Sequence, residues 1–379
     1  MKIGLGCTTI APQPNQERVG GISTYTRNLL HYSQQQPGIV TTPCYFRHLY
    51  KFTQPPISAP NALTFPLPYL QSLLTSTFMP TSFSKRIEQQ IELFHSTDYL
   101  IPKFNHVPVV ATIHDAAPLK YPNWCNPTLR RVKNWLLKNP IKYVDYVITI
   151  SQAMIPDLVN YWGIDEKNIG ITYLGVDKKW FLTRSSAEKI ATLAKYHLNP
   201  GYILFAGCFQ PRKNLDNILQ AYMKLPTAVK TKHHLVLIGN FPWKNLLLEN
   251  RIRELVSSGH ATLLPNVTTD ELQILFQCAK LFAFPSLYEG FGLPILEAFA
   301  SKIPVITSNV FSCPEVAGDA AYLVNPYSID EISNAMLTLL ADEDFCQALI
   351  TKGYERAQEM TWEKCMMKTI DIYRAILKK

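Results

Sequence analysis

The sequence predicts an α/β protein built from two parallel-sheet domains. Short apolar runs alternate with helical segments through both halves of the chain, the pattern of strand–helix–strand crossovers. At 379 residues the chain exceeds what one ordinary core accommodates, so two domains are expected. Glycine-bearing turns recur where a strand gives way to a helix, above all in the stretch from Phe284 to Ala298. A hydrophobic fraction of 47% against 17% charged residues describes a globular protein with ample core.

In the first half, Lys2 to Ile10 predicts the opening strand, too short and too poor in leucine for a signal peptide. Gly20-Gly21-Ile22-Ser23-Thr24-Tyr25 then leads into a helix from Tyr25 to Ser33. Strand, glycine turn and helix present backbone amides to a phosphate or a sugar, although many such turns carry glycine for steric reasons alone. Residues 51–84, rich in Pro, Ser and Thr, receive no element; they read equally as an acceptor-specific insertion or a surface excursion. Ile87 to Leu93 predicts a helix and Leu93 to Ser96 a buried strand, with His95 a structural strand-end residue. Pro108 to Asp115 predicts a buried strand ending in His114-Asp115, at the sheet edge where ligands gather in open α/β folds. Asn126 to Tyr143 predicts a helix in which Leu129, Val132, Trp135 and Leu136 recur at helical spacing beside Arg130, Arg131, Lys133 and Lys138. It reads as a helix packed on its domain with a solvated basic face, or as one lying on an anionic membrane surface. Tyr146 to Ile150 is the next strand, Ser151 is expected to cap a helix from Ala153 to Tyr161, and Gly170 to Asp177 closes the domain.

In the second half, a polar connection from Lys178 to Asn199 carries a short helix, and Tyr202 to Gly207 is a buried strand. Arg212 and Lys213 precede the helix Leu215 to Met223. Two adjacent cations at a strand-to-helix turn suit a diphosphate, Arg by forked hydrogen bonds and Lys as a point charge; the plainer reading is a solvated basic turn. His234 to Gly239 and Ala261 to Leu264 predict strands, Asn250 to Gly259 a helix, and Thr269 opens another with an acidic first turn. Ala279 to Phe284 is a strand, and Leu293 to Ala300 a helix with Pro294 in its first turn. Between them Gly290 and Gly292 let the backbone turn sharply and let a ligand approach a helix N-terminus suited to an anion or sugar oxygens. Glu289 and Glu297 read together as two contacts to one extended ligand, although either alone would read as solvated. Pro304 to Ser308 is a strand, Ile329 to Ala341 a helix, and Thr361 to Leu377 the last helix.

The formal net charge of +8 favours anionic partners such as a phosphorylated sugar or an anionic lipid surface. Nucleic acid is not expected, because no RNA-binding signature and no long basic run is present. Eight scattered cysteines without Cys-x-x-Cys pairs fit a reducing cytosol, and no stretch approaches a membrane span.

The block Pro285-Ser286-Leu287-Tyr288-Glu289-Gly290-Phe291-Gly292-Leu293-Pro294-Ile295-Leu296-Glu297-Ala298 resembles the Glu-x7-Glu donor-site signature of retaining glycosyltransferases of family 4. The Gly20-Gly21-Ile22 turn, Thr112-Ile113-His114-Asp115 with Pro118, Arg212-Lys213-Asn214 after Gly207, and Cys313-Pro314-Glu315-Val316-Ala317-Gly318 resemble further segments of that family. Ser23 stands where the family turn has a third glycine. The resemblance is strongest over 201–326 and weakest over 51–84. It implies the GT-B fold, two Rossmann-like parallel-sheet domains facing each other across a cleft. Residues 1–180 would form the acceptor-side domain, 181–200 a linker, 201–360 the nucleotide-sugar donor domain, and 361–379 a helix crossing back to the first domain.

The resemblance also implies transfer of a hexose, with retention, from a nucleotide-diphosphate sugar to a glycan or lipid-linked acceptor. Arg212, Lys213 and the helix N-terminus at Gly290 to Leu293 would take the diphosphate without a metal. Glu297 would hold the ribose, Asn266 and Val267 would lie along the base, and Glu289 with the amides of Phe291 and Gly292 would hold the donor sugar. His114 would lie on that sugar's other side, with Gly20 and Gly21 also donor-binding. No general base is assigned, the leaving phosphate taking the acceptor's proton. The pattern is similar to bacterial mannosyl- and rhamnosyltransferases of surface polysaccharide synthesis, which points to GDP-mannose, no cofactor, and a cytoplasmic enzyme with peripheral contact at the inner face of the membrane. The alternatives are a catalytically silent GT-B scaffold subunit and a GT-B nucleotide-sugar epimerase.

Overall fold

The computed structural model describes residues 1–10, 20–47, 61–68, 82–124, 130–241 and 245–378. The chain divides into two compact units, Met1–Leu174 with Trp362–Lys379, and Gly175–Thr361. In the first, seven parallel strands lie in the order β3-β2-β1-β4-β5-β6-β7: β1 Lys2–Gly6, β2 Val40–Arg47, β3 Leu63–Pro68, β4 Leu93–Ser96, β5 Val109–Ile113, β6 Tyr146–Thr149 and β7 Ile169–Ile171. In the second, six parallel strands lie in the order β10-β9-β8-β11-β12-β13: β8 Tyr202–Ala206, β9 Leu235–Ile238, β10 Ala261–Leu264, β11 Ala279–Phe284, β12 Val305–Ser308 and β13 Tyr322–Val324. Both are Rossmann-like doubly wound sheets. Their central strands are buried along their whole length, as β5, β8, β9 and β12 show, which is why these segments read as continuous apolar runs rather than alternating ones.

The closing helix Trp362–Leu377 belongs to the first unit. It buries Trp362, Cys365, Met366, Thr369, Ile370 and Tyr373, a stripe at helical spacing, and Trp362 packs 6.3 Å from the ring of Tyr25. Residues 181–200, expected as a linker, lie within the second unit. Their helix Ser186–Lys195 opens with a capping box in which Ser185 and Glu188 satisfy each other's amides.

Several elements differ from the sequence expectation. The first strand ends at Gly6, and the first helix begins at Gly21 and runs to Gln34. Residues 82–88 are helical, but the helix stops there and Leu93 opens a strand. Ser151 makes no side-chain cap bond. The expected helix after it is a succession of short turns around Pro156, whose missing N–H interrupts the ladder, ended by Gly163 at φ +73°. A 17-residue helix, Glu343–Glu359, fills a stretch to which the sequence assigned nothing. Asp342 caps it, accepting from the Phe345 amide at 2.9 Å, so the triplet Asp342-Glu343-Asp344 is a helix start. Of the region 51–84, residues 51–60 and 69–81 lie outside the described residues, while Leu63–Pro68 adds an edge strand to β2. The helix predicted over 126–143 is described from Arg130 to Lys138, followed by a 3₁₀ turn, Asn139–Tyr143.

None of the described cysteines is in a disulfide, and all but Cys208 are buried. Burial pushes the thiols of Cys44, Cys313 and Cys365 up to about 12, so these behave as small apolar side chains. No helix among the described residues is long and apolar enough to cross a membrane.

Candidate active site

In the second unit the strand order reverses between β8 and β11. Loops leaving two such strands diverge and open a crevice at their carboxyl ends. After β8 the chain enters a 3₁₀ turn, Pro211–Lys213, and Asn214 follows in the left-handed conformation at φ +60°. Asn214 Nδ2 donates to the carbonyls of Pro285 at 2.9 Å and Pro326 at 2.7 Å, and the Leu287 amide donates to the Arg212 carbonyl at 2.8 Å. These bonds stitch the loop after β8 to the loop after β11.

The stitching brings Arg212, Lys213 and Glu289 together. One carboxylate oxygen of Glu289 accepts from Lys213 Nζ at 2.5 Å and the other from Arg212 Nη1 at 3.1 Å. Lys213 Nζ also sits 4.9 Å from the centre of the Phe284 ring, and Arg212 Nε donates to Gln210 Oε1 at 2.8 Å. Glu289 is 5% exposed and Lys213 9%. Burial alone would raise the Glu289 carboxyl, but the charges of Lys213 and Arg212 hold it below the usual carboxylate range. Burial lowers the Lys213 ammonium against the pull of Glu289.

Gly292, at φ +111°, ends the loop and precedes the helix Leu293–Ala300. That backbone conformation is what only glycine adopts without strain. Pro294 lies in the first turn, and no side chain caps the helix N-terminus. Ser312 Oγ lies 2.8 Å and 2.9 Å from the carbonyls of Glu289 and Phe291 and shares its one hydrogen between them, pinning the loop backbone from the neighbouring helix. Phe311, at the unusual φ of +53°, turns the chain to deliver Ser312 and packs its ring edge-on against Tyr288 at 4.7 Å. Gly290 and Phe291 are buried, and Leu293 and Glu297, the latter in the second turn of the helix, are half-buried. Asn266, exposed, and Val267, buried, follow β10, which is separated from β8 by β9.

In the first unit the order reverses between β1 and β4. Gly20 and Gly21 open the helix that follows β1, and a Cβ at either would meet nothing within 4 Å among the described residues. Among the described residues no close packing accounts for this pair. His114, directly after β5, is 6% exposed and donates from Nε2 to the Thr97 carbonyl at 2.9 Å. This partner assigns the proton to Nε2 and leaves the Nδ1 lone pair as the acceptor. The ring meets the edge of Tyr25 at 5.0 Å, and burial lowers its pKa, so it is a neutral imidazole. His95 is structural, as read from the sequence: its two nitrogens bond Tyr373 at 2.6 Å and Thr112 at 2.8 Å, and Tyr25 bonds the same Thr112 hydroxyl at 2.8 Å.

The structure thus joins Arg212, Lys213 and Glu289 by direct ion pairs, and places Gly290 to Leu293 and Glu297 on the loop and helix beside them. His114, Gly20 and Gly21 belong to the other unit's sheet edge. Sequence reasoning missed Gln210, Thr97 and Ser312. Ser312 stands next to a block that was recognised, and a small hydroxyl residue opening the next helix is the signal that could have found it.

Two Rossmann-like parallel-sheet units in one chain are the architecture of the GT-B class of glycosyltransferases. Sucrose-phosphate synthase of Thermosynechococcus elongatus shares this fold, with a TM-score of 0.78 and 21% identity over 100% of this chain and 99% of that one. The family profile described as Glycosyl transferases group 1 matches residues 190–356, and that described as Glycosyltransferase Family 4 matches residues 19–180. O-antigen chain mannosyltransferase B of Escherichia coli is 31% identical over 285 residues, 75% of this chain and 74% of that protein. Serotype-specific mannosyltransferase WbdA of Escherichia coli is 29% identical over 291 residues, which cover 75% of this chain but 36% of that longer protein. The chain belongs to the group 1 glycosyltransferases, family 4, and is a glycosyltransferase.

Proposed function

We propose that this protein transfers mannose, with retention, from a nucleoside-diphosphate sugar to a growing surface glycan or its lipid-linked precursor. GDP-mannose is the first donor to test. The observation that carries the reading is the cluster of buried Glu289 and Lys213 with half-buried Arg212 at the switch point of the second sheet, beside a helix N-terminus without a side-chain cap. The relatives named as mannosyltransferases supply the sugar.

In this reaction negative charge develops on the leaving diphosphate. Two cations and a helix N-terminus held by rigid loops stabilise that charge without reorganising at the moment of transfer. Glu297 holds the ribose, the amides of Phe291 and Gly292 with Glu289 hold the sugar, and neutral His114 offers its Nδ1 as an acceptor to a sugar hydroxyl. The leaving phosphate takes the acceptor's proton. Lipid-linked acceptors are reached at a membrane surface through the helix Arg130–Lys138, where Val132 and Trp135 are about half exposed beside exposed Lys138 and Lys142.

The test is calorimetric titration with GDP, UDP and ADP and their sugar conjugates. The expected result is a preference for one nucleotide that is lost in Glu297→Ala, with His114→Ala binding normally but turning over slowly. No binding by the wild type would refute the donor site and favour the scaffold reading. For the membrane contact, Trp135→Glu is expected to abolish sedimentation with anionic vesicles, and unchanged sedimentation would refute it.

A further inference from the structure

We propose that Glu289 is a built-in counter-ion of the diphosphate subsite, which the ligand must displace, and that it thereby selects two linked phosphates over one. The inference rests on the diphosphate reading of Arg212 and Lys213 given above. Each oxygen of the carboxylate is committed to a different cation, Oε1 to Lys213 at 2.5 Å and Oε2 to Arg212 at 3.1 Å. The carboxylate therefore already spans the two groups that would grip a diphosphate. Buried Lys213 beside half-buried Arg212 would be costly without an anion, and Glu289 offsets that cost. It leaves a residual charge of one positive unit, enough to attract an anion but not to hold one unless it replaces the carboxylate.

The surroundings confine the exchange to a side-chain movement. Ser312 pins the carbonyls of Glu289 and Phe291, and the Leu287 amide pins that of Arg212. Gln210 holds the Nε edge of the guanidinium, so Arg212 keeps its orientation when the carboxylate leaves. A ligand with two phosphates replaces both ion pairs at once. A single phosphate replaces one and leaves the carboxylate on the other cation, competing with it. The displaced carboxylate is then released to accept from a donor-sugar hydroxyl, which couples occupation of the diphosphate subsite to completion of the sugar subsite.

The experiment titrates wild type and Glu289→Gln with inorganic pyrophosphate and with inorganic phosphate, at fixed ionic strength. Glutamine keeps the shape and one acceptor but removes the charge. Pyrophosphate is expected to bind the variant roughly tenfold more tightly, the factor carried by about 1.4 kcal/mol, and the preference for pyrophosphate over phosphate is expected to narrow. Sugar transfer by the same variant is expected to fall. Should Glu289→Gln not fold, Glu289→Asp, which draws the carboxylate back by one methylene, is expected to move affinity in the same direction by a smaller factor. Pyrophosphate binding that is unchanged or weaker in the variant, while the wild type binds, overturns the counter-ion role. Absence of pyrophosphate binding by both proteins overturns the diphosphate reading itself.

Discussion

Lys213→Met separates the stability of the buried cluster from its charge. Methionine fills the volume of the lysine stem over Phe284 but leaves Glu289 with Arg212 as its remaining cation. Breaking a buried pair by removing one partner costs roughly 3–5 kcal/mol. Arg212 survives and the stem volume is kept, so the lower end, about 3 kcal/mol, is expected near neutral pH. For a unit of this size that is a fall in Tm of about 6–12 °C.

The pH dependence makes the assignment specific. In the wild type the folded pKa of Glu289 lies below its unfolded value. The pair's contribution is therefore fully present above the ordinary carboxylate range and is lost as pH falls through the folded value. In the variant, burial acts on Glu289 against Arg212 alone, so its pKa rises and the carboxylate protonates earlier. The stability gap between the proteins should be largest at pH 7.5 and should shrink below about pH 4. Calorimetric scans of the full chain at both pH values measure it, following the transition of the second unit. A gap below about 1 kcal/mol at pH 7.5, or one that does not change with pH, would refute the buried-pair argument.

Three further outcomes are expected. Gly20→Ala and Gly21→Ala should leave thermal stability within about 0.5 kcal/mol, since a Cβ meets open space there, yet lower sugar transfer. Gly292→Ala should destabilise by more than about 1 kcal/mol in denaturant titrations, because its φ of +111° is strained for any Cβ-bearing residue. Tyr373→Phe should cost about 1–3 kcal/mol in the same titrations by leaving the buried Nδ1 of His95 unpaired. Burial, with His114 adding to it, depresses His95 to about 3, below its unfolded value. The neutral ring thus contributes stability above about pH 6.5 that declines progressively as pH falls toward 3, by up to roughly 1.4 kcal/mol per unit. A His95→Gln variant should show a shallower acid limb in stability-versus-pH measurements.

How far the sequence reached can be judged from particular residues. The strands were legible as short, mainly apolar runs: Ala261–Leu264 and Ala279–Phe284 match the prediction residue for residue, and Val109–Ile113 and Tyr202–Ala206, buried along their whole length, lie inside the predicted runs. So was the helix Leu293–Ala300, whose start is marked by Gly292 and Pro294. The helix Glu343–Glu359 escaped because its buried stripe is Cys346, Leu349, Gly353 and Ala357. Two of those four carry almost no hydrophobic signal, and Gly353 is small because Phe299 packs against it: a Cβ there would fall 2.6 Å from the ring. Close packing between helices selects the residues that hydrophobic periodicity cannot see.

The candidate site follows the same logic at the level of charge. Arg212, Lys213 and Glu289 were legible as residue types at strand-to-helix turns, and Glu297 as a carboxylate in the helix that follows, because charged groups near strand ends can be suspected without long-range information. Their mutual arrangement was not. Glu289 is separated from Lys213 by 76 positions, and only the reversal of strand order between β8 and β11 brings the two loops together. The sequence reading therefore gave the cations and the carboxylate separate tasks, phosphate and sugar. In the folded chain they are one electrostatic unit, each oxygen of the one carboxylate paired with a different cation. If Glu289 is to turn to a sugar, as proposed above, Arg212 and Lys213 need another anion in its place, and the diphosphate of the proposed nucleotide-sugar donor would supply it.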